Sequence, residues 1–547
     1  MNKLLFISLF LIFMVNLTAC KNKEQADLLV TNATIYTVDD SFSTAEALAV
    51  KDGKILATGS TKELEKRFDA KNKIDATGKF IYPGLIDAHA HFWNYGFSLQ
   101  QVNLVGTSSW DAVIEKTKQF AATHPDGWIL GRGWDQNDWA VQAFPTNEKL
   151  DELFPDRPVF LKRIDGHAAI VNTAALALAN IKAGDKIAGG VIESMEGNLT
   201  GLLVDNAIDL VSQKIPPTDT THIKKALLAA QKNCFAAGLT TIDDCGLSYR
   251  AIEFIKKLQD EGILKMRLYI LLSDTKKDFD YAAKHGKIKT DHLHVQGFKL
   301  YADGALGSRG ACLLQPYNDK PESVGFLLST LAHYDSVANW LYNKGWQMCT
   351  HAIGDSANRT MLNIYARYLK GKNDRRWRIE HAQVLDRHDF HLFGDNSIIP
   401  SVQPTHATSD MYWTTERLGK IREAGAYANQ QLLQENGWIP LGTDFPIEDI
   451  SPIKTFYAAV FRKDAKGWPE NGFHIENALT REEAIRGMTI WAAKANFEEH
   501  EKGSLEAGKF ADFVILDTDL MTASPTKILA TKVLSTYLGG EKVFELQ

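Results

Sequence analysis

A chain of 547 residues that is 45% hydrophobic can bury one large core with appendages, which excludes disorder as its main state. A formal charge of −6, with no basic stripe anywhere along the chain, offers nucleic acid no footprint and removes it as a partner.

Residues 1–19 open with Lys3 and the apolar run Leu4 to Val15, the layout of a secretory signal peptide, and the run is too short to span a bilayer comfortably. The exit, Leu17-Thr18-Ala19-Cys20, resembles the lipobox of bacterial lipoproteins. That resemblance implies acylation of Cys20 and an exported protein anchored by lipid to a membrane of the bacterial cell envelope, with residues 20–26 as a polar tether. An ordinary cleaved signal with a chance cysteine is the alternative. Cys234, Cys245, Cys312 and Cys349 show no C-x-x-C pair, and buried free thiols are expected, although their even number leaves a disulfide open.

Residues 27–82 read as strands: Leu28 to Val30, Ala33 to Val38, Ala47 to Val50 and Ile55 to Thr58, with Asp52-Gly53 marking a hairpin. So small a β unit cannot cover two faces alone. The tail, 501–547, offers Phe510 to Leu516, Val533 to Leu538 and Val543-Phe544, so one β domain built from both chain ends is expected.

From 83 to 500 strand-like and helix-like runs alternate, around an insertion at about 95–230. The strand runs are Leu239 to Asp243, Met266 to Leu272, Val295 to Tyr301, Trp346 to Thr350, Trp377 to Glu380, Ile398 to Val402 and Trp438 to Leu441. Ile252, Ile255 and Leu258 line one face of a helix, and Thr480-Arg481-Glu482-Glu483 reads as a capping box. With the run through Ile81, Leu85 and Ile86 the count is eight strands, the arithmetic of an α/β (β/α)8 TIM barrel with reactive groups at the strands' C-terminal ends. A doubly wound open sheet is the runner-up, but no Gly-rich phosphate turn follows any strand.

Those strand ends carry metal-ligand chemistry. His89 and His91, two apart, leave the same face of the first strand, although alone they read equally as two histidines near a turn. Lys299 lies in an apolar strand, where burial lowers the pKa; the neutral amine reacts with carbon dioxide to give a carbamate that can bridge two cations. His351, His381 and Asp444 follow the fifth, sixth and eighth strands. A lone strand-end histidine is more often a half-buried hydrogen-bonded residue, and Asp444 alone reads as a helix cap. The ordered set matches the needs of zinc or a similar divalent ion.

Pro83-Gly84-Leu85-Ile86-Asp87-Ala88-His89-Ala90-His91, the run Lys299 to Arg309, His351 to Asp355, Arg378 to Gln383 and Gly442 to Pro446 are together similar to the amidohydrolase-3 branch of the metal-dependent amidohydrolase superfamily, which includes the N-substituted formamide deformylases. The resemblance implies a barrel at 83–500 and a composite β-sandwich from 27–82 and 501–547. It implies a first metal on His89, His91 and Asp444, with Lys299 as a carbamate bridging to a second metal on His351 and His381; one ion or two stays open. Activated hydroxide then attacks a small-molecule amide-type substrate at its carbon–nitrogen bond, with Asp444 as the catalytic proton acceptor.

On the substrate side, Tyr301 and Asp303 share Lys299's side of an extended strand and read as supports for the ligands or as substrate contacts. The stretch Gly131 to Trp139, with Trp134 at its centre, reads as a pocket wall or as a packed surface loop. His167, in a motif shared with the branch, reaches the substrate or is structural; Arg309 pairs with an anion or caps a carbonyl. His294, His406 and His474 are left as structural or surface. A catalytically silent ligand-binding lipoprotein on the same barrel needs a broken ligand set, and no break is seen. Hydrolysis of a cyclic amide or ester keeps the same site.

Overall fold

A computed structural model describes residues 23–547, so the expected signal peptide and Cys20 lie outside the described residues. Seven parallel strands follow one another in chain order, each paired with its sequence neighbour: Leu85–Ala90, Leu239–Leu247, Arg267–Ser273, Leu293–Tyr301, Gln347–Ala352, Arg378–His381 and Ile399–Ser401. Their side chains are buried on both faces, as parallel strands covered by helices must be. The helix Tyr249–Asp260 buries Ile252, Ile255 and Leu258 against them, and Thr480 caps the helix Arg481–Gly487 through the expected capping box.

The eighth strand is reduced to a bridge between Val402 and Leu441. Pro440 brings no N–H to a ladder, and the backbone turns left-handed at Asp444, at φ 63°. Closure is still made by backbone hydrogen bonds on both sides. Val402 N–H donates to Pro440 O at 3.2 Å and Gly442 N–H to Val402 O at 3.1 Å, while Ala88 N–H donates to Leu441 O at 3.2 Å and Asp444 N–H to His89 O at 2.8 Å. Gly442 is required there, because a Cβ would meet His89 N at 2.6 Å.

Both chain ends build the remaining β structure. Phe513–Leu516 pairs antiparallel with Phe80–Pro83 in a six-stranded sheet, and a four-stranded sheet holds Glu24–Thr31 between Ala47–Lys51 and Phe68–Asp75. One apolar core joins Val30, Ile35 and Leu48 to Phe513, Ile515 and Tyr537. The insertion carries a six-stranded sheet of its own over the barrel mouth, including Ile129–Trp134, Val159–Arg163 and Asn198–Asp205. Cys234, Cys245, Cys312 and Cys349 are free thiols, and all but Cys312 are buried. Among the described residues no helix is long and apolar enough to cross a membrane.

Candidate active site

Asp87 sets the floor of the site. It accepts from Thr443 N–H at 2.9 Å and from the Thr443 hydroxyl at 2.6 Å, fixing the last barrel segment against the first strand. Asp444 is thereby held beside the histidine pair. Its Oδ1 lies 3.3 Å from His91 Nε2 and 3.8 Å from His89 Nε2, and its Oδ2 lies 3.5 Å from His406 Nε2. Two ligand-like groups share this carboxylate, His89-His91-Asp444 and His381-His406-Asp444.

Lys299 Nζ is buried 3.2 Å from His89 Nε2, and the His381 ring sits 4.7 Å from the rings of both His89 and His351. The structure therefore brings His89, His91, Lys299, His351, His381 and Asp444 to one place. His351 differs from the others in orientation, turning Nε2 toward Gly304 O at 3.4 Å and Asp303 Oδ1 at 3.6 Å.

Electrostatics fix the imidazole tautomers. Glu380 accepts from His89 Nδ1 at 2.6 Å; burial alone would raise its pKa, but His89, Arg378 and Lys299 outweigh that and hold it at about 2. Burial and the neighbouring Lys299 charge push His89 down to about 4, so a neutral ring keeps its proton on Nδ1 and a lone pair on Nε2. Gln403 Oε1 does the same for His381 Nδ1 at 2.6 Å. Burial would also raise Asp444, yet the imidazoles of His91, His89 and His406 hold its carboxyl well below the usual range. Lys299 corrects the sequence reading. Burial does pull its pKa down, but Tyr301, Cys245, Glu380 and Asp444 outweigh that, and the net direction is upward.

The remaining candidates separate. Tyr301 and His167 line a mouth cavity of roughly 1600 Å³ together with His91, Lys299, His351 and Asp444. His167 Nδ1 is fixed by Asp205 Oδ1 at 2.6 Å. Trp134 does not face the cavity; it is fully buried in the insertion's own core, its indole N–H donating to Leu161 O at 2.8 Å. The ladder explains this, because a bulge at Gly133, with φ 106°, reverses the face on which the next side chain leaves. Asp303 is likewise sealed in, accepting backbone N–H groups of Cys312, Ile353 and Gly354, which makes it a clamp behind His351. Arg309 finds its anion within the chain, Asp319 at 2.7 Å.

Sequence reading missed Glu380, Gln403 and Asp205 and set His406 aside. The signal for His406 was its place just past the seventh strand, on the helix Pro404–Asp410.

Whether this set suits a cation can be tested on its own atoms. Asp444 Oδ1 and His406 Nε2 are buried without a hydrogen-bond partner, an unfavourable state that a bound cation would relieve. The sequence profile of the Amidohydrolase family matches residues 73–544. This chain belongs to that family.

Among the relatives of this amidohydrolase, Protein LONG AFTER FAR-RED 3 of Arabidopsis thaliana is 34% identical over 541 residues, covering 95% of this chain and 92% of that protein. N-substituted formamide deformylase of Arthrobacter pascens is 26% identical over 545 residues, covering 95% and 99%. The crystal structure of an uncharacterized metal-dependent hydrolase from Pyrococcus furiosus matches with a TM-score of 0.71 and 28% identity, covering 90% of this chain and 100% of that one. The amidohydrolase is thus a hydrolase of a family that uses divalent metal, on a TIM-barrel fold.

Proposed function

We propose that this amidohydrolase cleaves a non-peptide carbon–nitrogen bond of a small molecule, of the N-formyl or N-acyl amine type, giving a carboxylate and an amine. The observation that carries the reading is Asp444, an ionised carboxylate with one buried oxygen unpartnered, shared by two imidazole groups beside a large cavity. The N-substituted formamide deformylase among its relatives supports the choice of bond.

His89, His91 and Asp444 are the residues to hold one divalent ion, zinc in our reading. His351, His381 and a carbamate on Lys299, formed when the ammonium gives up one proton and the amine then adds carbon dioxide with loss of a second, are those to hold a second. Such an ion supplies Lewis acidity toward water and the substrate carbonyl. The chain's own residues do the rest. Asp444 takes the proton released by the attacking water and returns it to the leaving nitrogen. Glu380 and Gln403 keep the His89 and His381 lone pairs aimed at the centre. His167, steadied by Asp205, presents its ring to the cavity and holds the substrate near His351.

Purified protein assayed for metal content and given a panel of N-formyl amines, N-acyl amines, cyclic amides and esters is expected to hydrolyse the open-chain amides. Chelation abolishes the activity and zinc restores it. Full activity in metal-free protein, or turnover of esters alone, contradicts the proposal.

We also propose, from Lys3, the apolar run after it and Cys20, that the enzyme is exported and lipid-anchored in the bacterial cell envelope. Wild-type protein should enter the detergent phase of extracted cells and the Cys20→Ser variant the aqueous phase; identical partitioning of the two overturns the anchor.

A further inference from the structure

Two cations stand side by side on the cavity wall with no counter-ion. Arg132 and Lys162 are register partners on the parallel strands Ile129–Trp134 and Val159–Arg163, so their side chains leave one face about 4.8 Å apart at the backbone. Both line the cavity that also holds His91, Lys299 and Asp444. Arg132 is oriented by two carbonyls, donating to Pro446 O at 2.5 Å and Ile164 O at 2.9 Å, and neither contact neutralises it. It keeps further N–H donors free. Among the described residues the Lys162 ammonium donates no hydrogen bond and neither cation forms an ion pair, whereas Arg163 next to them is paired with both Asp135 and Asp165.

The cavity's carboxylates are mostly matched elsewhere. Asp205 faces His167, Asp274 faces His333 and Asp449 faces Lys454. Burial pushes the carboxyls of Asp410 and Glu448 up to about 7, toward the neutral form. Asp444 and Asp165 favour the charged form of Arg132, and Asp209, which is exposed, and Asp165 that of Lys162, all from outside ion-pair reach. Burial draws Arg132 down to about 10, and burial with the Arg132 charge lowers Lys162, so the pair is costly as it stands. Two residues earlier on the same two strands, and so on the same face, the register partners are Leu130 and Phe160, and these also line the cavity. A cationic step therefore adjoins an apolar one.

We propose that Arg132 and Lys162 bind a carboxylate carried on an apolar chain of the substrate, the chain lying over Leu130 and Phe160. This rests on the hydrolase reading and adds the substrate class: amides whose non-reacting end is anionic. A guanidinium fork and an ammonium together satisfy both oxygens of such a group.

The test is calorimetric binding of octanoate and octanamide to the metal-loaded wild type and to Lys162→Gln and Arg132→Gln, at matched metal content and with melting curves recorded. The Lys162 side chain makes no hydrogen bond, so its variant keeps the fold even if removing the Arg132 link to Pro446 O disturbs it. Octanoate is expected to bind wild type more tightly than octanamide, to weaken about ten- to a hundredfold in each variant, and to lose salt sensitivity along with affinity. Within the amide panel, KM for substrates bearing a distal carboxylate rises by a similar factor. Equal octanoate binding by wild type and Lys162→Gln, or octanoate binding no tighter than octanamide, overturns the anion site. Weakened octanoate binding in the variants with no amide cleaved leaves the anion site standing and removes the hydrolase reading instead.

Discussion

Replacing Asp444 by Asn is expected to lower kcat/KM by on the order of a thousandfold or more while leaving the fold intact. The amide has the shape of the carboxylate, and the backbone bonds of residue 444, N–H to His89 O at 2.8 Å and carbonyl to Ile447 N–H at 2.8 Å, do not depend on the side chain. What is lost is charge. Oδ1 sits among His91 and His89, Oδ2 beside His406, and all three imidazoles lose the anion that binds their half-sites into one. Asn also cannot take a proton from water and give it to a leaving amine. Two measurements separate the consequences: metal content per chain, which falls because an anionic ligand is gone, and turnover at saturating zinc, which stays low because the proton acceptor is gone. Activity within tenfold of wild type at saturating metal removes Asp444 from the chemistry.

Some of this was legible because it is local. The period of two along a strand places His89 and His91 on one face, and an apolar strand makes Lys299 stand out. The barrel was legible for the same reason, as repeated apolar runs with helical spacing between them. What sequence could not supply is pairing between elements distant along the chain. Glu380 precedes His381 and reads as an ordinary strand residue; only the curvature of the barrel brings it 2.6 Å from His89, 291 residues away. Trp134 was misplaced because one bulged glycine changes which face the strand presents. The eighth strand was expected as a run, and it is there as a hydrogen-bonded path, shortened where Pro440 and the left-handed Asp444 interrupt it. His381 also has positive φ, 74°, so two of the ligand candidates sit in backbone conformations that side chains avoid unless the surroundings impose them. No periodicity reports that.

The second large effect is expected below the site. Arg378 is fully buried and ties its own strand to three other parts of the barrel: Nη1 lies 2.8 Å from Asp243 Oδ2 and 3.3 Å from Ala88 O, and Nη2 donates to Ala495 O at 3.2 Å and to Asn496. Glu380 Oε1 is 3.9 Å away. Arg378→Met therefore leaves two fully buried carboxylates without their shared cation and should cost about 3–5 kcal/mol. Burial already holds Asp243 at about 7 against the pull of Arg378; without the arginine that value rises further. An acid whose folded pKa is raised loses stability as pH climbs toward that value, so the deficit relative to wild type is smaller at pH 6 and larger at pH 8. Denaturant unfolding at the two pH values measures it. Glu380→Gln is the companion variant: Gln can still accept from His89 Nδ1, so stability changes little, while the lost negative charge weakens metal binding about ten- to a hundredfold. If Arg378→Met unfolds like wild type at pH 8, the buried carboxylates do not need it, and the support of His89 through Glu380 does not extend beneath the site.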